Sequence, residues 1–325
     1  LLATPGLALL IGRGVARLVP PRVPADRWAW ARLGVACCAA LVVIGASLPG
    51  LHNYYTDPRY ARDDYRGIAR YISTVGRPGD LVLINAPSQI ETVTYYYNGP
   101  LPLVPIPRQR PPDRDATLRE LGELARTAQR IFGVFWATDE SDPQRLVEGW
   151  LDTYAFKSMD AWYGNLRLVS YALPAPDAGA VTQSLQVRLG ADIALDGYSL
   201  AAAEVPSGDV VQLTLHWQAM GPVERRYKVF THLLDADGVL IAQRDAEPGG
   251  GARMTNIWQP GETVVDRYGI PVPPGTPPGE YTLEVGMYGL EDGARLPVTL
   301  GGEPAGDRVL LQPVRIVRPE APPPV

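Results

Sequence analysis

Thiols are almost missing from this sequence. Its only two cysteines, Cys37 and Cys38, are neighbours inside an apolar run. No disulfide framework, zinc ribbon or CxxC redox motif can be built from them. Adjacent cysteines bridge only under strain, so both read as small apolar residues. The thiol-free remainder suits an oxidising compartment, without being placed in one by that alone. Lysine is nearly absent as well, at Lys157 and Lys228 only. The basic charge is therefore arginine, and the formal net charge of −5 is opposite in sign to the basic face of a nucleic-acid binder. Nucleic acid is not an expected partner. Histidine occurs three times, and His52 is the only one before residue 200, which excludes a Ser–His–Asp arrangement there. His216 and His232 have no further ligands at metal spacing, so no metal site is expected.

What is abundant is glycine and proline, 33 of each in 325 residues, a proline share about twice the usual ~5%. Many turns and few long helices follow. One segment breaks that pattern. Leu33 to Leu51 is an uncharged apolar run near the ~20 residues that span a bilayer. Trp28 and Trp30 precede it and Tyr54 and Tyr55 follow, as aromatic belts do. A buried core helix is the alternative, and the charges weigh against it. Residues 1–51 hold five arginines against one aspartate, whereas the remainder holds 25 basic against 34 acidic residues. The positive-inside rule then puts 13–32 in the cytoplasm and 52–325 outside the cell membrane. LLATPGLALLI at 1–11 reads as the end of an earlier membrane helix, so 1–51 is expected to close a membrane domain, with a partial helix at 1–12 and a transmembrane helix at about 29–51.

From residue 52 to 175 helical and strand patterns alternate. In DDYRGIARYISTVGRPGD (63–80) Asp63 or Asp64 can cap a helix whose Ile68, Ile72 and Val75 share one face. Gly76 and Pro78 stop it. LVLIN (81–85), LPLVPI (101–106), RIFGVFWA (130–137) and NLRLVSYAL (165–173) read as strands. SQIETVTYYYNG, TLRELGELARTAQ and QRLVEGWLDTY read as helices, with Ser88–Glu91 and Ser141–Gln144 at capping-box spacing. Such alternation predicts a parallel, Rossmann-like α/β domain on the extracytoplasmic side. It carries no glycine-rich phosphate loop, so no nucleotide cofactor is identifiable and the scaffold names no activity.

After a Pro/Ala/Gly linker at 173–180 the period changes to two. VVQLTLHWQA, YKVFTHLLDADGVLIAQRD, VVDRYGIPV, YTLEVGMYGL and RVLLQPVRIV alternate, separated by turn signals such as Asp237–Gly238 and Pro260–Gly261. An antiparallel β-sandwich of jelly-roll or immunoglobulin-like type is predicted over 183–318, followed by a loose tail at 319–325. Trp217, in mid-strand, reads first as core. Trp258, in the turn-rich TNIWQPGE, reads equally as core or as a sugar-stacking surface.

The order of these parts, with YYTDPRYARDDYRGIARYI after the membrane run and GYSLAAAEVPSGDVVQLTLHWQA…WQPGETVVDRYGIPVP…PPGEYTLEVGMY near the end, resembles the C-terminal part of bacterial membrane glycosyltransferases of the C superfamily. These are the dolichyl-phosphate-mannose-protein mannosyltransferase-like and aminoarabinose-transferase-like proteins. The resemblance implies sugar transfer from a polyprenyl-phosphate donor to a glycan or lipid acceptor at the outer face, with the bilayer as partner and room for a divalent metal. It also implies that the catalytic acid lies in a loop after the first membrane helix, outside this sequence, so no catalytic residue is assigned here. Tyr55, Asp57, Asp63, Asp64 and Arg66 combine carboxylates and a guanidinium at headgroup height, where they would face substrate. The competing reading is helix capping and interfacial anchoring. A competing function is a membrane-anchored carbohydrate-binding or structural cell-envelope protein.

Overall fold

The computed structural model describes residues 12–14, 27–57, 63–174 and 181–319. The expected partial helix at 1–12, linker at 173–180 and tail at 319–325 lie mostly outside them. The chain divides into two compact units, 1–62 and 63–325.

Among the described residues the long helix of the first unit is α1 (Arg27–Thr56). Its stretch Leu33–Thr56 is 24 residues long with none of its most apolar window buried. At 1.5 Å per residue it reaches about 36 Å, more than the ~30 Å hydrocarbon core of a bilayer. By length and composition it can cross a membrane, and a signal sequence meets the same criteria. Its Ser47 and Thr56 hydroxyls donate to the carbonyls of Val43 and His52, both at 2.8 Å, so these polar groups are satisfied within the helix, as an apolar surrounding requires. The helix runs five residues beyond the expected end, which puts Tyr54 and Tyr55 on it.

The second unit is mainly β, with three sheets. Its first part contains α2 (Tyr65–Val75), β1 (Leu81–Ile84), α3 (Ile90–Tyr96), β2 (Leu103–Pro105), α4 (Arg114–Thr127), β3 (Arg130–Phe135), α5 (Thr138–Ser141), α6 (Leu146–Tyr154), β4 (Phe156–Tyr163) and β5 (Leu166–Ala172). The strand order is β2-β1-β3-β5-β4. Strand β1 is parallel to β2 and β3, whereas β5 is antiparallel to both β3 and β4. Alternate residues of β1 enter two cores: Val82 and Ile84 meet Ile68 and Ile72, and Leu81 and Leu83 meet Leu121, Val147 and Leu151.

This corrects the expected layout of membrane helices, then a Rossmann-like domain, then a sandwich. Among the described residues only α1 is long and apolar enough to span, and the α/β layer is a mixed sheet, not a parallel one. The reason is β4, which the alternation of helices and strands did not reveal. It turns into β5 through Gly164, whose φ is +67°, and so short a turn yields an antiparallel pair, since parallel strands need a long crossover. The predicted capping boxes also fail. No side chain caps α3, and Asp142 replaces Ser141, accepting from the N–H groups of Leu146 (2.8 Å) and Val147 (2.9 Å).

The rest of the unit contains β6 (Val181–Leu189), β7 (Ile193–Leu200), β8 (Glu204–Pro206), β9 (Val210–Ala219), β10 (Tyr227–Leu234), β11 (Leu240–Gln243), β12 (Thr263–Pro271), β13 (Gly279–Gly289), β14 (Val298–Leu300), β15 (Glu303–Pro304), β16 (Val309–Leu310) and β17 (Val314–Val317). One sheet runs β11-β10-β13-β17-β8 with β16 beside β13, the other β12-β9-β7-β6-β14-β15. Leu195, Leu213, Leu215 and Trp217 of the second sheet share one core with Val229, Leu233, Leu283, Val285 and Met287 of the first. Residues one position away along β10 and β13 therefore face outward.

Candidate functional site

The residues expected beside a membrane fall in different parts of the chain. Tyr55 lies on α1, 77% exposed, edge-on to Tyr54 with ring centroids 5.1 Å apart. Asp57 follows the end of α1, its N–H donating to the Asn53 carbonyl at 2.9 Å. Asp63, Asp64 and Arg66 come together at the start of α2. The Asp64 carboxylate accepts from the Gly67 N–H at 2.7 Å as the N-cap. A Cβ on Gly67 would lie 2.2 Å from that carboxylate, so a larger residue there would require the Asp64 side chain to shift. Asp63 has a buried Oδ1 without a hydrogen bond. Burial, with the nearby Asp63 charge, pushes the Tyr65 phenol up to about 12. Arg66 is exposed, its guanidinium 6.0 Å from the Tyr96 ring centre.

Trp258 is no platform. It is 3% exposed within the sandwich core, and its indole N–H donates to the Arg253 carbonyl at 2.8 Å. The loop is rich in turns, yet its indole is folded inward. Trp217 is fully buried too and donates to Asp266 at 3.3 Å. Asp266 also accepts from the Tyr268 hydroxyl at 2.6 Å and the Gly249 N–H at 2.9 Å. Burial raises its pKa despite these donors.

A second set of buried charges links α6, β4 and β5. Lys157 Nζ lies 2.7 Å from Asp152 and 3.6 Å from Glu148. Arg167 bridges Glu148 at 2.7 Å and Asp160 at 2.6 Å. Burial alone would raise Glu148, but Arg167, Lys157 and Arg145 outweigh it and hold the carboxyl below its usual range. At Asp152 burial wins and the pKa is raised. Gly250, at φ +63°, packs so closely that a Cβ would sit 3.1 Å from Asp152 and 3.2 Å from Lys157 Nζ. These groups are saturated by one another and form a structural tie.

A polar depression of about 250 Å³ on the outer face of β10 and β13 is different. Phe230, His232, Asp245, Tyr288, Gly293 and Arg295 line it. His232 and Glu284 are directly paired across the two strands, with Nδ1 3.1 Å from Oε1. Glu284 also meets Arg308 at 3.0 Å and Arg295 at 3.6 Å. The Tyr288 hydroxyl donates to Asp245 Oδ2 at 3.3 Å, and burial followed by the Asp245 charge raises its pKa. Asp245 Oδ1 has no hydrogen bond and lies 3.7 Å from His232 Nε2. The sequence reading missed this set. The signal available was polar residues at the outward positions of two alternating strands, among them His232, Glu284 and Tyr288.

No protein-family model matches the chain, and no curated protein does. Solved structures give low-scoring likenesses to parts of it. The C-terminal domain of wzt matches at 10% identity with a TM-score of 0.28, covering 45% of this chain and 81% of that one. A Niemann-Pick type C2 protein from Japanese carpenter ant matches at 10% identity and 0.25, covering 42% and 99%. A β-glucuronidase from glycoside hydrolase family 2 matches at 12% identity and 0.21, covering 47% and 14%. Likenesses at these scores carry no argument about fold or function.

Proposed function

We propose that this chain is the membrane-anchored, extracytoplasmic portion of an integral-membrane glycosyltransferase that uses a polyprenyl-phosphate-linked sugar, and that it supports acceptor or glycan binding instead of catalysis. The observation that carries the reading is α1, whose apolar side chains are unburied over a length sufficient to span. It follows an arginine-rich stretch and precedes the acidic bulk of the chain, the charge asymmetry that orients membrane helices. The sugar-transfer element rests on the resemblance at 54–72 and 197–288. A reporter fused after Val325 tests the orientation and is expected to be active only outside the cytoplasm; cytoplasmic activity overturns it. Transfer of labelled sugar from a polyprenyl-phosphate donor by membranes containing the intact protein tests the reaction.

A second reading, a membrane-anchored carbohydrate-binding or structural envelope protein, is favoured by the β-sandwich, whose core closes without any membrane-embedded group. Glycan binding by membranes that transfer no sugar selects it over the first.

A further inference from the structure

We infer that one end of the α/β part of residues 63–325, the end at which the chain enters it, is a membrane-docking face that seats exposed aromatic rings in the headgroup zone of a bilayer. The inference rests on the spanning role proposed above for α1 and assigns a second, peripheral contact to residues which that role does not use.

The topology assembles the face. Strands β1 and β3 are parallel, and β4 is antiparallel to β5, itself antiparallel to β3. Strand β4 therefore ends where β1 and β3 end. The chain enters α2 at this same end. The Asp64 N–H donates to the Tyr163 carbonyl of β4 at 3.3 Å, and the Tyr65 hydroxyl donates at 2.6 Å to Gln89, which lies between β1 and α3. Side chains of a helix lean toward its N-terminus, which carries Tyr96 of α3 back to Tyr65. Their rings are nearly parallel, 6.2 Å between centroids, and Tyr95 stands edge-on to Tyr96 at 4.9 Å. Trp162 completes the set at the tip of the β4–β5 turn.

These rings are open to the surroundings. Tyr95 is 77% exposed, Trp162 69% and Tyr96 38%. Tyrosine and tryptophan join an apolar ring to a polar tip, the combination that settles at a membrane–water interface. The connecting chain says which surface covers them. Seven residue steps separate Thr56, the last residue of α1, from Asp63, a reach of at most ~25 Å when fully extended. An α1 that spans a bilayer thus keeps the entry end within reach of its headgroups. Charge is not the basis of the contact. Residues 57–66 hold three arginines and three aspartates, and the exposed Glu91, Asp139 and Glu140 at this end add negative charge. The attraction is to the interface itself and not to anionic lipid.

The test is spin-label accessibility in the full chain, reconstituted in phosphatidylcholine vesicles. With Cys37 and Cys38 replaced by alanine, single labels go on Thr94→Cys and Asn165→Cys, exposed neighbours of Tyr95 and Trp162. The control is Val239→Cys, an exposed position in the turn between β10 and β11. Labels at 94 and 165 are expected to favour lipid-soluble oxygen over a water-soluble nickel complex, and the label at 239 the reverse. Tyr95→Ser combined with Trp162→Ser, both surface changes, should bring the first two labels to the accessibility of the control. A water-phase label at 94 or 165 in the parent chain overturns the face. So does shielding from both reagents, the mark of a protein contact, or lipid contact that survives the double substitution. Contact that requires added phosphatidylglycerol overturns its aromatic basis. A label on the native Cys37 reads α1 separately. If that label is in lipid while 94 and 165 are in water, the docking face is lost and the anchor stands; if it is in water, both fall.

Discussion

Replacing Lys157 by Met removes one charge from a place that water barely reaches, and the consequence can be worked through. The lysine and Asp152 side chains are 7% and 5% exposed, and their charged atoms are 2.7 Å apart. At an effective dielectric of ~20, that separation gives roughly 6 kcal/mol of gross attraction, most of it offset by the desolvation of both ions. What the substitution costs is set by what it leaves behind. Glu148 keeps Arg167 and Arg145 at 2.7 and 2.9 Å. Asp152 keeps only the Tyr171 hydroxyl at 2.8 Å. A buried carboxylate stranded in this way costs about 3–5 kcal/mol. It can escape by taking a proton, which at pH 7 costs up to about 4 kcal/mol against an unfolded-state pKa of ~3.9. The expected loss at pH 7 is therefore about 3–4 kcal/mol.

The pH dependence has a definite sign. Burial already raises Asp152 above its ordinary value, with Lys157 and Tyr171 opposing, and removing Lys157 raises it further. A carboxyl with a raised folded-state pKa contributes fully below its unfolded-state pKa and loses that contribution as pH rises through the folded value. The deficit of Lys157→Met should thus shrink on going from pH 8 to pH 5, by up to ~1.4 kcal/mol per unit. Denaturant unfolding of the full chain in micelles, followed by tryptophan fluorescence at several pH values, reads both. Asp152→Asn added to Lys157→Met should recover most of the loss. A deficit under about 1 kcal/mol at pH 7, or one independent of pH, would refute the coupling of these charges.

Two further substitutions separate packing from chemistry. Asp64→Ala removes the N-cap of α2 and should cost roughly 0.5–2 kcal/mol of stability. If Asp64 also faces substrate, sugar transfer by the intact protein should fall tenfold or more per folded molecule, so turnover normalised to the folded fraction decides its role. Trp258→Ala empties a buried indole site and should cost about 3–5 kcal/mol, measured by thermal unfolding. Near-neutral stability with lost glycan binding would instead return the indole to the surface.

What could be read in the sequence was what is local. The cap and stop of α2 are set by Asp64 and Gly76, within a turn of the residues they serve, and its buried face by Ile68 and Ile72 in the same helix. The apolar run of α1 is equally self-contained. Strand β4 was hidden because FKSMDAWY carries Lys157 and Asp160 where a buried strand should be apolar; those charges become tolerable only when α6 brings Asp152 and Glu148, and β5 brings Arg167, to meet them. Trp258 misled for the same reason, since its turn-rich neighbours say nothing about the core that its side chain enters. The outer-face depression is the extreme case. His232 and Glu284 are 52 residues apart and meet only through the register of β10 on β13, while Arg295 arrives from the turn after β13. A one-residue slip in that register would send His232 to the core face and dissolve the site. Side chains that act together across strands leave no spacing signature, so the sequence shows a site of this kind only as polar residues at the outward positions of alternating strands.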